Sequence, residues 1–363
     1  MTIDSARARV WCVVRAARRV QDASDELGKD ARARLPHVTG LTDESIELAL
    51  RDHFETHPTD EEIDALVSST THAVACHIVL SANVFTAPLR ALALGVATSE
   101  RVIVRPSRRD PVVTELLVRA LAGDAEFAAQ GGTIEMVERV RPESSHALHV
   151  YGSDDSIEAI TKGLPLGVVV RAHGTGFGVA VVGVDVDVDH VAEALSRDVV
   201  VFDQRGCLSP RIAFVEGDAL RAEKFALALH EALASWSERC PRGVMDAGLL
   251  GEISQYCATM QAIGSYWFGR SHAVGLDPAP RALVLAPAAR IVHVVPANAS
   301  NVATLVAPWI RYVTAVGTND DQGLSVAILR MAPLARVSRL GFMQRPRFDG
   351  PVDRRGTRVD ENC

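Results

Sequence analysis

Lysine is almost missing from this 363-residue chain: of 38 basic residues only Lys29, Lys162 and Lys224 are lysines. Basic charge is not in excess either. A net charge of −7 and a pI near 6.0 give no global attraction to nucleic acid or to an anionic membrane, so neither is an expected partner. A long apolar run is also lacking. The longest candidate, 166–184, is interrupted by Arg171 and His173 and by five glycines, well short of the ~20 clean residues a bilayer demands, and it reads as a pair of strands. The N-terminus has no apolar core followed by small residues, so no secretory leader is expected and the predicted compartment is the cytoplasm. Six cysteines, Cys12, Cys76, Cys207, Cys240, Cys257 and Cys363, stand without short paired spacings, which predicts neither a disulfide framework nor a zinc site.

What is present is an ordinary globular composition, 48% hydrophobic and 23% charged, at a length that suits two domains. Residues 1–72 read as helical: 10–20 is an amphipathic stretch, and Thr59-Asp-Glu-Glu62 has the form of a capping box ahead of Ile63 and Leu66. From residue 73 short β-branched runs alternate with helical stretches. The strands are expected at 77–80, 101–104, 147–151 and 166–170, and the crossover helices at 87–96, 111–121 and 154–160, which predicts an α/β fold with a mostly parallel sheet. A second rhythm follows, with a helix at 188–195, strands at 199–202 and 211–215, and a long helix at 219–236. A second domain is therefore expected to begin near residue 198.

The richest stretch is Val199-Val-Val-Phe-Asp-Gln-Arg-Gly-Cys-Leu-Ser-Pro-Arg-Ile-Ala-Phe-Val215, which sets Cys207 in a tight polar loop. A thiol on a Gly-preceded turn lies beside exposed backbone N–H groups, which lower its pKa and stabilise an oxyanion on whatever it attacks. Position alone favours a half-buried structural cysteine.

Asp203-Gln204-x-x-Cys207-x-Ser209-Pro210 resembles the nucleophile loop of the LuxC-type acyl-CoA (fatty acyl) reductases, a branch of the aldehyde dehydrogenase superfamily. Three more segments follow the same pattern in order. Ser81-Ala-Asn83-Val-Phe-Thr-Ala-Pro88 resembles the loop whose Asn amide forms the oxyanion hole. Arg101-Val-Ile-Val-Arg105-Pro106-Ser107-Arg108-Arg-Asp-Pro111 resembles the strand-turn that holds the cofactor ribose. Arg336-Val-Ser-Arg-Leu-Gly341-Phe-Met-Gln344-Arg-Pro346-Arg-Phe-Asp349-Gly350 resembles the C-terminal signature. Tyr151-Gly152-Ser153-Asp154 resembles the Gly-Ser turn near the cofactor pyrophosphate.

The resemblance implies an aldehyde dehydrogenase-like fold: two α/β, Rossmann-like domains with the active site in the cleft between them. It divides the chain into an N-terminal helical region (1–72), an NAD(P)-binding domain (73–197), a catalytic domain carrying the nucleophile (198–330) and a tail packing back on the cofactor domain (331–363). It implies NAD(P)H-dependent reduction of a fatty acyl-CoA thioester to an aldehyde through an acyl-cysteine. Cys207 is then the nucleophile and Asn83 the oxyanion donor, while Arg105, Pro106, Ser107, Arg108, Gly152 and Ser153 face the cofactor. Guanidinium forks suit a 2′-phosphate, so NADPH is expected over NADH. Where hydrolytic relatives carry a water-activating glutamate, Val169-Val-Arg-Ala-His173-Gly-Thr-Gly176 has no acid. That favours thioester reduction over oxidation to a free acid and makes His173 a candidate proton donor or acceptor, or else a structural histidine. The alternatives are oxidation of a free aldehyde and a silent NADP-binding homologue within a biosynthetic complex; Pro351-Val-Asp353-Arg354 departs from the expected His-Asp-Gly ending. An acyl-activating synthetase or transferase partner and a homo-oligomer follow by analogy.

Three other patterns are set aside. Gly174-Thr-Gly176-Phe-Gly178 lacks dinucleotide-loop spacing, Asp185-Val-Asp187-Val-Asp189-His190 lacks the glycine and glutamate of a calcium loop, and the His72–His77 and His230-Glu231 pairs lack further ligands. No metal is expected.

Overall fold

The computed structural model describes residues 2–320 and 322–355; Cys363 and the end of the 331–363 tail lie outside the described residues. The chain forms two units. The first comprises Met1–Thr39, Ala49–Thr175 and the tail from Arg347, and the second Gly40–Leu48 and Gly176–Pro346.

The helical start consists of α1 (Ile3–Gln21), α2 (Glu26–Thr39), α3 (Asp43–Asp52) and α4 (Asp60–Ser68). The capping box at α4 is formed on both sides: the Thr59 hydroxyl accepts from the Glu62 amide at 3.2 Å, and the Glu62 carboxylate accepts from the Thr59 amide at 3.0 Å. Then come β1 (Cys76–Val79), α5 (Ala87–Thr98), β2 (Arg101–Arg105), α6 (Val112–Ala122), α7 (Ala125–Ala129), β3 (Thr133–Met136), β4 (Ala147–Tyr151), α8 (Asp154–Thr161) and β5 (Val169–His173). The five strands pair in parallel in the order β3-β2-β1-β4-β5. All their carboxyl ends therefore lie along one edge of the sheet, with the switch in winding direction between β1 and β4.

Helix α5 is apolar on every side because Pro88–Thr98 is buried throughout. Its one charge, Arg90, is neutralised by Glu55 (Nε to Oε2 3.1 Å). The same guanidinium donates to the carbonyls of Arg347 and Gly350 at 2.8 and 2.7 Å and lies over the Phe348 ring, which fastens the tail to the first unit.

In the second unit β6 (Phe177–Val182) leads to α9 (Val188–Val200), β7 (Pro210–Glu216), α10 (Ala219–Arg239), α11 (Ala247–Ile263), β8 (Ser265–Phe268), β9 (Ala273–Leu276), β10 (Ile291–Ala297), α12 (Val302–Val306), β11 (Val313–Thr318), α13 (Leu324–Met331) and β12 (Arg336–Ser338). The sheet runs β12-β11-β6-β7-β10-β9-β8 and is parallel except for the β8–β9 pair. Its core gathers Val179, Val181, Ile212, Phe214, Val295 and Val316.

Two sequence expectations are corrected. Residues 199–202 are not a strand: Val199 and Val200 finish α9, and a 3₁₀ turn over Val201–Gln204 follows. The β-branched run is buried by the apolar face of the helix, so burial rather than strand pairing accounts for its composition. The strand expected at 166–170 is β5, shifted toward the C-terminus, because Gly167 at φ +86° is still in the preceding turn. The apolar run 166–184 does supply two strands, but they enter different sheets, one in each unit, and the units divide at Thr175/Gly176. Among the described residues no helix is long and apolar enough to cross a membrane.

Candidate active site

Cys207 belongs to the second unit. It is half-buried and not disulfide-bonded, and it lies on the turn between the 3₁₀ segment and β7. The turn is held from several directions. Phe202, Asp203 and Gln204 are three consecutive non-glycine residues in left-handed conformation, at φ +54°, +50° and +64°. Such a run costs energy and persists only where the side chains are fixed. Here they are. The Gln204 amide donates to the carbonyls of Pro210 and Ile291, both at 2.7 Å, and its oxygen accepts from the amides of Ile291 at 2.8 Å and Ala289 at 3.3 Å. The Asp203 carboxylate takes the buried Arg290 guanidinium on one oxygen (2.9 and 2.7 Å) and the Gly243 amide on the other (2.9 Å). Arg290 also donates to the Cys240 carbonyl at 2.6 Å.

The Thr314 hydroxyl donates to the Cys207 carbonyl, with the Phe177 carbonyl as its other acceptor at 3.1 Å. Gly178 donates its amide to the Ser209 carbonyl at 2.9 Å. A Cβ at Gly178 would stand 2.3 Å from the Leu208 oxygen and 2.7 Å from Met343 Cε, so the turn and the C-terminal signature meet over this one glycine. Asp198, fully buried at the end of α9, fixes that signature by accepting from the amides of Gly341 at 2.6 Å and Met343 at 2.8 Å. Burial pushes its carboxyl up to about 7, against the pull of those amides. Sequence reasoning quoted Asp203 and Gln204 as motif letters and passed over Asp198, Arg290 and Thr314. Their only signal was polarity within apolar surroundings.

The other candidates belong to the first unit, at the carboxyl ends of its strands. Asn83 is exposed in the loop after β1. After β2, Arg105, Pro106 and Ser107 are partly buried while Arg108 and Arg109 are exposed, and the three guanidinium groups have no ion-pair partner among the described residues. Such uncommitted forks fit a phosphorylated ribose. Asp110, closing this turn, is buried with an unpartnered Oδ1, and its carboxyl is pushed up to about 6 by burial. Gly152 and Ser153 follow β4, and the Ser153 hydroxyl caps α8 by accepting from the Ser156 amide at 3.3 Å. The first turn of α8 carries Asp154 and Asp155, so its N-terminal dipole already faces two carboxylates, a poor setting for a pyrophosphate.

His173 ends β5 and is buried. It stacks on Tyr151 at 4.2 Å and shares a 3.2 Å hydrogen bond with His149. Burial, and then the charges of Arg171 and Arg355, hold it down to about 3, so the neutral imidazole is favoured near pH 7.

The model of the LuxC acyl-CoA reductase family matches residues 52–353, and the chain belongs to that family. Solved structures similar to it include a NAD-dependent benzaldehyde dehydrogenase from Corynebacterium glutamicum (15% identity, TM-score 0.64, covering 92% of this chain and 79% of that one). An aldehyde dehydrogenase from Bartonella henselae aligns at 12% identity and TM-score 0.63, over 98% and 84% of the two chains. A lactaldehyde dehydrogenase aligns at 12% and 0.61, over 93% and 77%. No curated protein sequence matches the chain. The fold is thus that of the aldehyde dehydrogenases, and the chain is an oxidoreductase acting at the aldehyde level.

Proposed function

We propose that the protein reduces an acyl-CoA, with a fatty acyl group by family, to the aldehyde, through a thioester on Cys207 and with NADPH as reductant. The observation that carries this reading is a half-exposed thiol on a turn rigidly held by Asp203, Gln204 and Thr314 in a chain of the acyl-CoA reductase family.

The Cys207 thiolate attacks the acyl carbonyl carbon, forming a C–S bond as the carbonyl electrons move to oxygen. The Cys207 amide and the Asn83 side-chain amide are the donors assigned to that oxyanion, and both are neutral. When the oxyanion collapses, CoA leaves as its thiolate and the acyl group remains on Cys207. The residues after β2 would hold a nicotinamide cofactor, which would supply the hydride that reduces this thioester to the aldehyde level. Cys207 then departs as thiolate and releases the aldehyde. Pinning the turn places the sulfur before the substrate arrives, so little ordering remains to be done in the transition state. Arg105, Ser107 and Arg108 are assigned to the 2′-phosphate, which favours NADPH. Gly152 and Ser153 are assigned a backbone approach to the cofactor only, given the carboxylates beside them. His173, neutral and stacked, is assigned to packing rather than to proton transfer.

The test is intact-mass spectrometry after incubation with a series of acyl-CoAs, without and then with NADPH. An acyl adduct on Cys207 that NADPH removes, and that is absent in Cys207→Ser, is expected. Folded protein that acquires no acyl group from any chain length would overturn the reading in favour of free-aldehyde oxidation or a silent homologue.

A further inference from the structure

One buried carboxylate in the second unit ties the C-terminal signature to the chain on either side of Cys207. Asp198 stands in the last turn of α9 with no exposed surface. One of its oxygens accepts from the Gly341 amide at 2.6 Å, the other from the Met343 amide at 2.8 Å, and the Gln344 amide also bonds to the carboxylate. With donors on both oxygens the position asks for an acceptor-only group, which an asparagine, with one oxygen and an NH₂, does not supply. The loop itself is two successive turns, with the Phe342 amide on the Arg339 carbonyl at 3.0 Å and the Arg345 amide on the Phe342 carbonyl at 3.1 Å. It runs close along α9: a Cβ at Gly341, which sits at φ +88°, would stand 3.4 Å from the Ala194 carbonyl oxygen.

What this loop delivers to the site is the side chain of Met343. It is fully buried and fills the space left by two glycines on neighbouring strands. A Cβ at Gly317 on β11 would stand 2.3 Å from its Sδ, and one at Gly178 on β6 would stand 2.7 Å from its Cε. Gly178 in turn donates its amide to the Ser209 carbonyl at 2.9 Å and lies so close to Leu208 that a Cβ there would be 2.3 Å from the Leu208 oxygen. Leu208 and Ser209 directly follow Cys207. From the carboxylate to the turn of the thiol the chain of contacts therefore passes through one methionine and one glycine, and interiors packed this closely transmit a displacement instead of absorbing it. Asp203 and Gln204 fix the turn before Cys207, whereas the contact from Asp198 through Met343 bears on it after Cys207.

We propose that Asp198 is a positioning residue for Cys207: by holding the Gly341–Gln344 loop it keeps Met343 packed on Gly178, and so fixes the Leu208–Ser209 side of the turn that sets the thiol. Its importance for catalysis rests on Cys207 being the nucleophile, whereas the positioning itself is measurable without any acyl-CoA.

The test is the rate at which iodoacetamide alkylates the folded full chain at pH 8, above the range in which Asp198 takes a proton. Peptide mass mapping reads Cys207 and, as internal reference, Cys257, which is likewise half-buried but lies on α11. Asp198→Asn should slow alkylation of Cys207 by about threefold or more, because a loosened turn no longer keeps backbone N–H groups beside the sulfur to stabilise the thiolate. Cys257 should react as before. Met343→Ala should slow Cys207 in the same way, while Met343→Leu, which nearly conserves volume, should stay within about twofold of the native rate. This pair carries the test should Asp198→Asn fail to fold. An unchanged or faster rate at Cys207 in the folded variants would overturn the proposal. So would equal changes at both cysteines, the result of a merely structural role that loosens the whole unit. If these shifts appear in a protein whose native form takes up no acyl group, the nucleophile reading fails and the positioning stands.

Discussion

At the scale of single residues, the candidate site is held by buried polar groups on the turn that carries Cys207. Asp203 and Arg290 are both within 2% of full burial and satisfy each other and three backbone groups. Removing one partner of such a pair leaves an uncompensated buried charge, which costs about 3–5 kcal/mol, whereas a surface pair is worth less than about 1 kcal/mol. Arg290→Met should therefore lower the unfolding free energy by about 3–5 kcal/mol in urea titration. The surface variant Arg101→Met, which breaks an exposed pair with Glu135, should change it by less than about 1 kcal/mol. Equal effects from the two would mean that the Cys207 turn is not held through Asp203. Cys207 could be proposed from the sequence because Gly206-Cys207 and the flanking motif are local. Arg290 could not, since it lies 87 residues from Asp203 and only folding makes them neighbours.

At the scale of elements, local signals and burial compete. Where the signal is a side chain bonding to its own backbone, as in the capping box of α4, sequence and structure agree to the residue. Thr59→Ala removes the acceptor for the Glu62 amide and should cost about 1 kcal/mol by urea denaturation. A loss no greater than that of an exposed helix-surface substitution would show that α4 is fixed by packing alone. Where the signal is β-branched composition, burial overrides it, and Val199-Val-Val201 ends a helix instead of forming a strand. The length of α11 and the strands β8 to β12 escaped sequence reading for a related reason. Their periodicity is weak, and their pairing is set by neighbours distant in the chain.

At the scale of the whole molecule, histidines decide the response to acid. His77, His272 and His293 are held down to about 4, and His149 and His173 to about 3, in each case chiefly by burial. Unfolded, each takes a proton near pH 6.5, and folded each resists it, so their contribution is complete above about pH 6.5 and is lost as pH falls toward 4. Each unprotonated histidine adds about 1.4 kcal/mol per pH unit to the slope. Asp110 and Asp198, held up to about 6 and about 7, act in the opposite direction over the same range but are outnumbered. Melting temperature should therefore fall steadily between pH 6.5 and pH 4. A flat profile over that interval would show that these imidazoles are reached by water in the native state.

The sequence by itself determined the α/β alternation, the family, the thiol and the arginine-rich turn after β2, because these reside in short contiguous stretches whose periodicity and chemistry are local. The tertiary structure alone decided that one apolar run feeds two sheets, that His173 is buried and stacked, and that the Cys207 turn hangs on Asp203, Gln204, Arg290 and Thr314. Each of these depends on which distant residue supplies the partner, and a partner across 80 or more residues is chosen by packing, which no local pattern records.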